Sequence, residues 1–238
     1  MSRGQTMDPT GIFQRLKGQL IVSVQPVSDG PMDNDVIVVA MARAAVAGGA
    51  AGLRIESARR IGLVRRALPG VPLIGIVKRD LSGSPVRITP LPEDVADLIE
   101  AGADIVAIDG TDRIRPHAFV DLARIVSDAG RMVMADIASA GEGRASIDAG
   151  ATIVGSTLSG YIRGPVPVEP DYTLLEELRD EACFLIAEGR YQSPEQCRGA
   201  LQRGADCVTV GSALTRLEVA THRFSELMRA PSGGTDHG

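Results

Sequence analysis

The sequence predicts a closed (β/α)8 TIM barrel of the α/β class, formed by a single domain. Eight short apolar runs of strand character alternate with helical segments, spaced by a few tens of residues. Glycine ends several predicted helices directly before a strand, as in 101–104 (AGAD) and 203–206 (RGAD); this is the usual residue after a helix C-cap. A chain of 238 residues with 44% hydrophobic residues is long enough for such a barrel.

Strands are predicted where four to six mostly apolar residues follow one another: 20–24, 52–55, 73–77, 104–109, 132–136, 151–155, 183–187 and 207–211. Ile12, Phe13 and Leu16 have helical spacing ahead of the first strand and are expected to plug the bottom of the barrel. The last helix is predicted from about residue 213 to residue 228. Polar loops at 81–92 and 156–170 are longer than simple connections, so both are candidate substrate loops.

An open, doubly wound sheet is the competing architecture. It would have fewer strands and a glycine-rich fingerprint after the first one, but Gln25-Pro26 occupies that place. Within the barrel assignment, residues 1–10 are predicted to be a flexible N-terminus. Residues 11–229 form the catalytic domain, and 230–238 are expected to be a disordered tail.

The composition of the chain limits which binding partners and which cellular compartment are expected. A net charge of −5 gives no electrostatic basis for binding nucleic acid. The apolar run 36–53 is interrupted by Arg43 and by Gly48-Gly49, so it is interpreted as a buried helix followed by a strand rather than a membrane span. The first residues contain no basic n-region followed by an apolar h-region, so no secretory signal is expected. The three cysteines are odd in number and have no zinc-like spacing, and two of them lie in apolar strand runs, where a thiol behaves as a small hydrophobe. This pattern predicts a reducing, cytoplasmic location.

Polar residues follow most of the predicted strands, and in a barrel these strand ends meet at one mouth, where the chemistry of such folds takes place. The residues at these ends are Gln25, Arg54, Lys78, Asp109, Asp136 and Glu188. Lysine, arginine and carboxylates without a metal-ligand cluster suit proton transfer next to an activated carbon. Burial and nearby Arg54 would lower the pKa of Lys78. An ion pair of Lys78 with Asp80 or Asp136, or a Schiff base on Lys78, is the alternative.

The last two strand ends predict a phosphate site. Gly189, Arg190, Gly211, Ser212 and Arg216 together offer backbone N–H groups, a hydroxyl and guanidinium groups, which are the donors that bind a phosphate in such barrels. Two structural alternatives stay open. Glu188 and Arg190 could form a simple ion pair at the rim, and Gly211-Ser212 could be only a turn and a helix cap.

Motifs at nearly every strand end resemble, in the same order, those of the N-acylglucosamine-6-phosphate 2-epimerase family: 20–25 (LIVSVQ), 74–80 (IGIVKRD), 84–89 (SPVRIT), 108–111 (IDGT), 157–161 (TLSGY), 186–190 (IAEGR) and 210–216 (VGSALTR). The resemblance runs from about residue 20 to residue 218. It implies a TIM barrel that interconverts N-acetylmannosamine 6-phosphate and N-acetylglucosamine 6-phosphate in the use of sialic acid and amino sugars. It also implies a small-molecule sugar phosphate as partner, no metal or nucleotide cofactor, and a homodimer.

The resemblance also assigns roles to residues. It implies that Lys78 and Glu188 are catalytic and that Arg216 lies on the phosphate side. Gln25, Arg54 and Asp136 match the family's sugar-binding residues. Three loop positions depart from the family pattern and bear on substrate preference rather than on the chemistry: Ala138, Ser156 and Ile162.

Two other functions remain compatible with these residues. A Schiff-base aldolase or lyase would use the lowered pKa of Lys78 for covalent chemistry. A catalytically silent sensor of sugar phosphates would use the same barrel without turnover. Trapping of substrate on Lys78 by borohydride would support the first, and turnover in a coupled assay would exclude the second.

Overall fold

The computed structural model describes residues 8–162 and 164–229. Eight parallel strands follow one another around a closed barrel, and the eighth pairs with the first. The strands are β1 (Leu20–Val24), β2 (Gly52–Glu56), β3 (Leu73–Ile76), β4 (Ile105–Asp109), β5 (Met132–Asp136), β6 (Ile153–Gly155), β7 (Phe184–Glu188) and β8 (Cys207–Val210). The predicted single-domain TIM barrel is confirmed, and the closure between β8 and β1 excludes an open sheet.

Helices alternate with these strands: α1 (Pro9–Leu16), α2 (Asp35–Ala47), α3 (Ala58–Ala67), α4 (Pro92–Glu100), α5 (Phe119–Asp128), α6 (Ala140–Asp148), α7 (Tyr172–Leu178), α8 (Pro194–Gln202), α9 (Ser212–Thr215) and α10 (Leu217–Arg229). Gly102, Gly150 and Gly204 follow the C-caps of α4, α6 and α8 with φ of +97°, +102° and +104°. These left-handed conformations confirm the helix ends that the sequence predicted.

The first helix closes the lower end of the barrel. Ile12 and Leu16 of α1 are buried in the same interior cluster as Ile21 and Phe184, which lie near the amino ends of β1 and β7. Phe13 stacks on Phe184 with 4.7 Å between the ring centroids. The predicted plug is therefore present, and it leaves the opposite mouth, at the carboxyl ends of the strands, as the open end of the barrel.

Strand alternation sorts the apolar residues into two shells. Side chains that point into the barrel form one cluster, which includes Ile74, Ile105 and Ile153. Side chains on the outer face of the strands pack against the helices, as Leu53 and Val106 do. A parallel sheet covered by helices is buried on both faces, so its strands are nearly continuous hydrophobic runs. Polar side chains on the strands are consequently concentrated at the carboxyl ends.

The prediction of one continuous last helix is wrong, because the structure divides this segment into α9 and α10. Arg216 separates them with φ −109° and ψ 82°, outside the helical region. The Thr215 hydroxyl donates to the carbonyl oxygens of Ser23 (2.8 Å) and Gly211 (3.1 Å), and Arg216 Nε donates to that of Gln25 (3.1 Å). These contacts with the end of β1 stabilise a local backbone that a continuous helix would not allow.

The first and last helices lie close to the predicted limits of the catalytic domain, residues 11 and 229. Helix α1 begins at Pro9, inside the segment predicted to be flexible, and α10 ends at Arg229, where the catalytic domain was expected to end. Residues 1–7, and the predicted tail at 230–238, lie outside the described residues. The limits of the catalytic domain stay a prediction.

The apolar run at 36–53 is not a single membrane-length segment. It contributes to α2, which buries Val38 and Ala42 and leaves Val36 exposed, and then to β2. The helix thus packs one face on the barrel, and the predicted succession of helix and strand is confirmed. No helix within residues 8–162 and 164–229 has the length and hydropathy needed to cross a bilayer.

Candidate active site at the carboxyl ends of the strands

A cavity of ≈ 400 Å³ opens at the mouth formed by the carboxyl ends of the strands. Nine of the ten predicted site residues line it: Gln25, Arg54, Lys78, Glu188, Gly189, Arg190, Gly211, Ser212 and Arg216. The tenth, Asp136, is fully buried and holds Arg54. The barrel therefore gathers residues that are up to 191 positions apart in the chain, and the reason is geometric, because parallel strands in a closed sheet all end at the same mouth.

Arg54 is the central cation of the site. Its side chain is 1% exposed and makes a two-pronged contact with Asp136, Nη2 to Oδ2 at 2.6 Å and Nη1 to Oδ1 at 3.0 Å. Nη1 also donates to Oε2 of Glu188 at 3.2 Å. Burial disfavours the guanidinium cation, but the Asp136 and Glu188 carboxylates outweigh it and raise the pKa of Arg54 above its ordinary value. Arg54 thus stays charged and joins the ends of β2, β5 and β7.

Glu188 has a carboxyl group with a pKa close to neutrality. Burial is the main cause and raises the pKa of Glu188 to about 7, and the nearby charge of Asp136 acts in the same direction. Arg54, Lys78 and the nearby Thr157 hydroxyl lower the pKa and partly offset the effect of burial. A carboxyl group with such a pKa can take up and release a proton at neutral pH.

Lys78 faces the open mouth of the cavity and has a lowered pKa. Burial by the surrounding barrel is the largest cause, followed by the cations Arg216 and Arg54, and the pKa of Lys78 falls to about 8. Nζ donates a hydrogen bond to Oε1 of Gln25 at 2.5 Å. About one Lys78 side chain in ten is therefore an uncharged amine at pH 7, and Lys78 can exchange a proton near neutral pH.

The alternative ion pairs for Lys78 are not formed. Asp80 pairs with Arg87 instead, with Arg87 Nε at 2.6 Å from Oδ1, and Asp136 pairs with Arg54. The proposed rim pair of Glu188 with Arg190 is absent as well, since Glu188 pairs with Arg54. The structure thus leaves the nitrogen of Lys78 directed at the cavity, with an uncharged acceptor beside it.

The predicted phosphate side lies between the ends of β7 and β8. Gly189 has φ +111°, a conformation that residues with a Cβ rarely adopt, and it directs the chain around the rim of the cavity. Gly211 precedes the short helix α9, and Ser212 begins it. Arg216 is anchored through Nε to the Gln25 carbonyl oxygen and is close enough to Lys78 to lower its pKa. Backbone, hydroxyl and guanidinium donors are therefore gathered on one side of the cavity.

Arg190 supports a loop in addition to lining the cavity. Its Nε donates to the Glu169 carbonyl oxygen at 2.7 Å and its Nη1 donates to that of Ser159. The guanidinium carbon lies 5.4 Å from the ring centroid of Tyr161. Arg190 thus fastens the segment between β6 and α7 to the end of β7, next to Glu188, and much of its hydrogen-bonding capacity is used there.

A metal-binding cluster is not found in the part of the chain that the structure describes, where no three His, Cys, Asp or Glu side chains are grouped to hold an ion. The site consists instead of two arginine–carboxylate contacts, an amide-bound lysine and a donor-rich rim. Charges and hydrogen-bond donors of this kind suit the binding of an anion and the movement of a proton within one cavity.

Comparison with known proteins identifies the family. The model of the NanE family, described as "Putative N-acetylmannosamine-6-phosphate epimerase", matches residues 38–230. The chain belongs to this family. It is 52% identical over 215 residues to the "Putative N-acetylmannosamine-6-phosphate 2-epimerase" of Actinobacillus pleuropneumoniae serotype 5b (strain L20), covering 90% of this chain and 93% of that protein.

Further members of the NanE family give the same result. The corresponding protein of Glaesserella parasuis serovar 5 (strain SH0165) is 53% identical over 207 residues, which are 87% of this chain and 89% of that protein. A solved N-acetylmannosamine-6-phosphate 2-epimerase from Clostridium perfringens superposes with a TM-score of 0.89 at 35% identity, covering 95% of this chain and 99% of that one. The resemblance inferred from the strand-end motifs is thereby confirmed.

The three positions that depart from the usual pattern of the family have different surroundings. The Ser156 hydroxyl accepts from the Glu188 N–H at 3.0 Å and donates to the Glu188 carbonyl oxygen at 2.9 Å, so serine supplies the hydroxyl that fixes this backbone. The backbone N–H of Ala138 donates to Oε2 of Glu142 at 2.8 Å. Ile162 lines the cavity. Of the three side chains, only Ile162 is therefore placed to contact a bound ligand.

Sequence reasoning did not single out two residues that line the candidate site, Thr157 and Arg113. The Thr157 hydroxyl donates to Oδ1 of Asp136 at 2.6 Å, and Thr157 lines the cavity. Arg113 also lines it, pairs with Asp109 at 2.6 Å and donates to the Pro85 carbonyl oxygen at 3.1 Å, which joins the loop after β3 to the loop after β4. Asp109 and Arg113 are four residues apart just after a strand, and this spacing was the available signal for the pair.

Proposed function

We propose that the protein inverts carbon two of N-acetylmannosamine 6-phosphate to form N-acetylglucosamine 6-phosphate, in the catabolism of sialic acid and other amino sugars. One observation carries the chemical part of this proposal. Lys78 and Glu188 line the same cavity, lie near the same arginine and have pKa values of about 8 and about 7. Family membership supports the choice of substrate.

The reaction exchanges a proton at a weakly acidic carbon. In the open-chain sugar, carbon two lies beside the aldehyde of carbon one and carries the acetamido nitrogen. Removal of its proton therefore gives an enolate, with the negative charge on the oxygen of carbon one, rather than the enediolate that a 2-hydroxy sugar would form. We assign the removal and return of this proton to Lys78 and Glu188. The cation of Arg54, held by Asp136, stabilises the negative oxygen that develops.

Binding of the phosphate supplies energy away from the reacting carbon. Gly189, Gly211, Ser212 and Arg216 form the proposed phosphate cradle, on the side of the cavity nearest to β7 and β8. Contacts with a group that does not react hold the sugar in register with the two proton-transfer groups, which lowers the entropic part of the barrier. Gln25 and Arg54 complete the proposed sugar site, Asp136 supports it by holding Arg54, and Arg190 supports it through the loop that it holds.

Proton NMR of the purified protein with N-acetylmannosamine 6-phosphate in deuterated water tests this function directly. The expected result is the appearance of N-acetylglucosamine 6-phosphate with deuterium at carbon two. The same spectrum reports fragmentation, which an aldolase would cause. No conversion and no exchange over hours at micromolar protein would overturn the proposal and would favour a catalytically silent sensor.

The pH dependence of kcat/KM is expected to be bell-shaped, with its maximum between pH 7 and pH 8. Transfer requires one of the two groups with a proton and the other without, so activity falls when Glu188 is protonated below about 7 and when Lys78 loses its proton above about 8. Because the two groups interact, the apparent pKa values of the two limbs of the profile describe the coupled pair rather than either residue alone. Initial rates from pH 5.5 to 9.5 measure the profile, and a rate that is constant from pH 6 to pH 9 would contradict it.

A Schiff-base aldolase is the second candidate, and the lowered pKa of Lys78 is the observation that favours it. The chain contains only two lysines, Lys17 and Lys78, so a borohydride-reduced adduct can be assigned from two peptides. An adduct on Lys78 together with cleavage of the sugar would support this candidate. Conversion without fragmentation and without an adduct would exclude it.

A homodimer and a cytoplasmic location belong to the same proposal. The exposed apolar side chains of α10, among them Phe224, Leu227 and Met228, support the association of two chains. Cysteines that are free in the structure, Cys183, Cys197 and Cys207, are compatible with a reducing compartment. Light scattering that reports the mass of one chain at micromolar concentration would contradict the homodimer.

A further inference from the structure

Two uncharged side chains, one near the end of the first strand and one just after it, lead from the barrel interior to Lys78. Ser23 is buried near the end of β1, and Gln25 follows it two residues later, so both face the cavity. Gln25 Nε2 donates to the Ser23 hydroxyl oxygen at 2.7 Å. At its other end, Gln25 Oε1 accepts from Nζ of Lys78 at 2.5 Å. Ser23 thus reaches Lys78 through a single intervening side chain.

The charge on Lys78 determines which way the Gln25 amide points. An ammonium group only donates hydrogen bonds, so the amide must direct its oxygen at Lys78. The amide NH2 group is then turned towards Ser23, whose hydroxyl oxygen accepts from it. The amide of Gln25 is therefore held at both ends, and the position of Nζ is defined from the strand rather than from the flexible lysine stem.

The absence of charge in Gln25 matters for the protonation of Lys78. The charged groups that face Lys78 are Arg54 and Arg216, which disfavour its ammonium form, and Glu56 and Glu188, which favour it. A neutral amide fixes the direction of the amine without adding a third carboxylate to this balance. Since a neutral amine retains an N–H for Gln25, its lone pair is left for another partner in the cavity.

We propose that Ser23 and Gln25 form an uncharged relay that aims the nitrogen of Lys78 at the reacting carbon. Ser23 is a positioning residue, because it acts through Gln25 and not on the substrate. The proposal rests on the proton-transfer role of Lys78 given above. It gives Gln25 a second role, the orientation of Lys78, in addition to binding of the sugar.

The backbone beneath the relay is fixed by the phosphate side of the cavity. The carbonyl oxygen of Ser23 accepts from the Thr215 hydroxyl at 2.8 Å, and that of Gln25 accepts from Arg216 Nε at 3.1 Å. The relay therefore shares its strand end with the arginine of the proposed phosphate cradle. This connection would let a bound phosphate and Lys78 be held in register by the same backbone.

NMR of protein labelled with ¹³C at the lysine ε-carbon tests the relay without any substrate. The two lysines give two signals, and Lys17, whose side chain is 74% exposed, serves as an internal reference. Gln25→Glu is expected to raise the pKa of Lys78 by about one unit, because a carboxylate stabilises the ammonium form. Ser23→Ala is expected to lower the pKa of Lys78, because the ammonium loses a fixed acceptor.

Kinetics of the same variants separate positioning from binding. Ser23→Ala is expected to lower kcat by about tenfold and to leave KM within about twofold, since misdirection of one catalytic group affects the chemical step. Ser146→Ala is the matched control, because Ser146 is a buried serine of α6 that does not line the cavity, and its kcat and Lys78 titration are expected to equal those of the unmodified protein.

Two results would overturn the relay. One is a Lys78 titration that is unchanged in Gln25→Glu. This variant keeps the shape of the side chain and is expected to fold, so it tests the relay even if Ser23→Ala does not fold. The other is a kcat of folded Ser23→Ala equal to that of Ser146→Ala. If the unmodified protein shows no epimerisation while the titration responds as expected, the contact with lysine stands and the proposed function fails, so the two failures are distinguishable.

Discussion

Lys78→Ala is expected to lower the rate of deuterium exchange at carbon two by about a thousandfold, because it removes one of the two proton-transfer groups. Binding of the sugar phosphate is expected to persist, since the proposed cradle at Gly211, Ser212 and Arg216 is untouched. Exchange is measured by proton NMR in deuterated water, and binding by calorimetry with N-acetylmannosamine 6-phosphate.

Two control variants sharpen this result. Lys78→Arg keeps a cation at the position, but a guanidinium neither gives up nor takes up a proton near neutral pH, so this variant is expected to be as inactive as alanine. Lys17→Ala removes the other lysine of the chain, which lies on the surface, and is expected to have full activity. Exchange by Lys78→Ala at the rate of the unmodified protein would remove Lys78 from the mechanism.

Arg54→Met is expected to abolish turnover and to destabilise the fold by about 3–5 kcal/mol, because it leaves the buried carboxylate of Asp136 without its cation. The loss depends on pH in a defined direction. Arg54 is the strongest of the groups that lower the pKa of Glu188, so without it the pKa of Glu188 in the folded state rises further above its unfolded value. Stability is then retained below the unfolded pKa of a glutamate, about 4.3, and is lost as the pH rises towards the folded pKa.

Thermal unfolding at pH 5 and pH 8 measures this effect, and the variant is expected to lose more stability at pH 8. Arg59→Met is the matched control, since Arg59 also pairs with an aspartate at 2.6 Å but is 81% exposed. Its loss is expected to stay below about 1 kcal/mol at both pH values. Asp136→Asn added to Arg54→Met is expected to restore part of the stability. Equal losses for Arg54→Met and Arg59→Met would contradict the central role of Arg54.

The fold could be predicted because its signals are local. Apolar runs such as 132–136 became strands with the predicted bounds, and glycines such as Gly102 ended helices where they were expected. The last helix could not be predicted correctly, since it is interrupted by contacts with Ser23 and Gln25, which lie 192 and 191 residues away from their partners in the chain. Tertiary contacts overrode the local helical preference at Arg216.

The composition of the candidate site could be predicted, but its pairings could not. The sequence predicted that Arg54, Lys78, Asp136 and Glu188 lie at one mouth, and the structure brings them together there. It left Lys78 with Asp80 or Asp136 as alternative partners, whereas the structure gives it Gln25. Which side chain meets which depends on where each strand end lies around the closed barrel.

The sequence by itself determined the order of the elements, the polar character of the strand ends and the family. Only the tertiary structure decided that Arg54 joins Asp136 to Glu188, that Ser23 supports Gln25, and that Arg190 holds a loop. The physical reason is that hydrophobic periodicity acts between neighbours in the chain. Hydrogen bonds and the pKa values that depend on them are instead fixed by distances of a few ångströms between residues that the sequence separates widely.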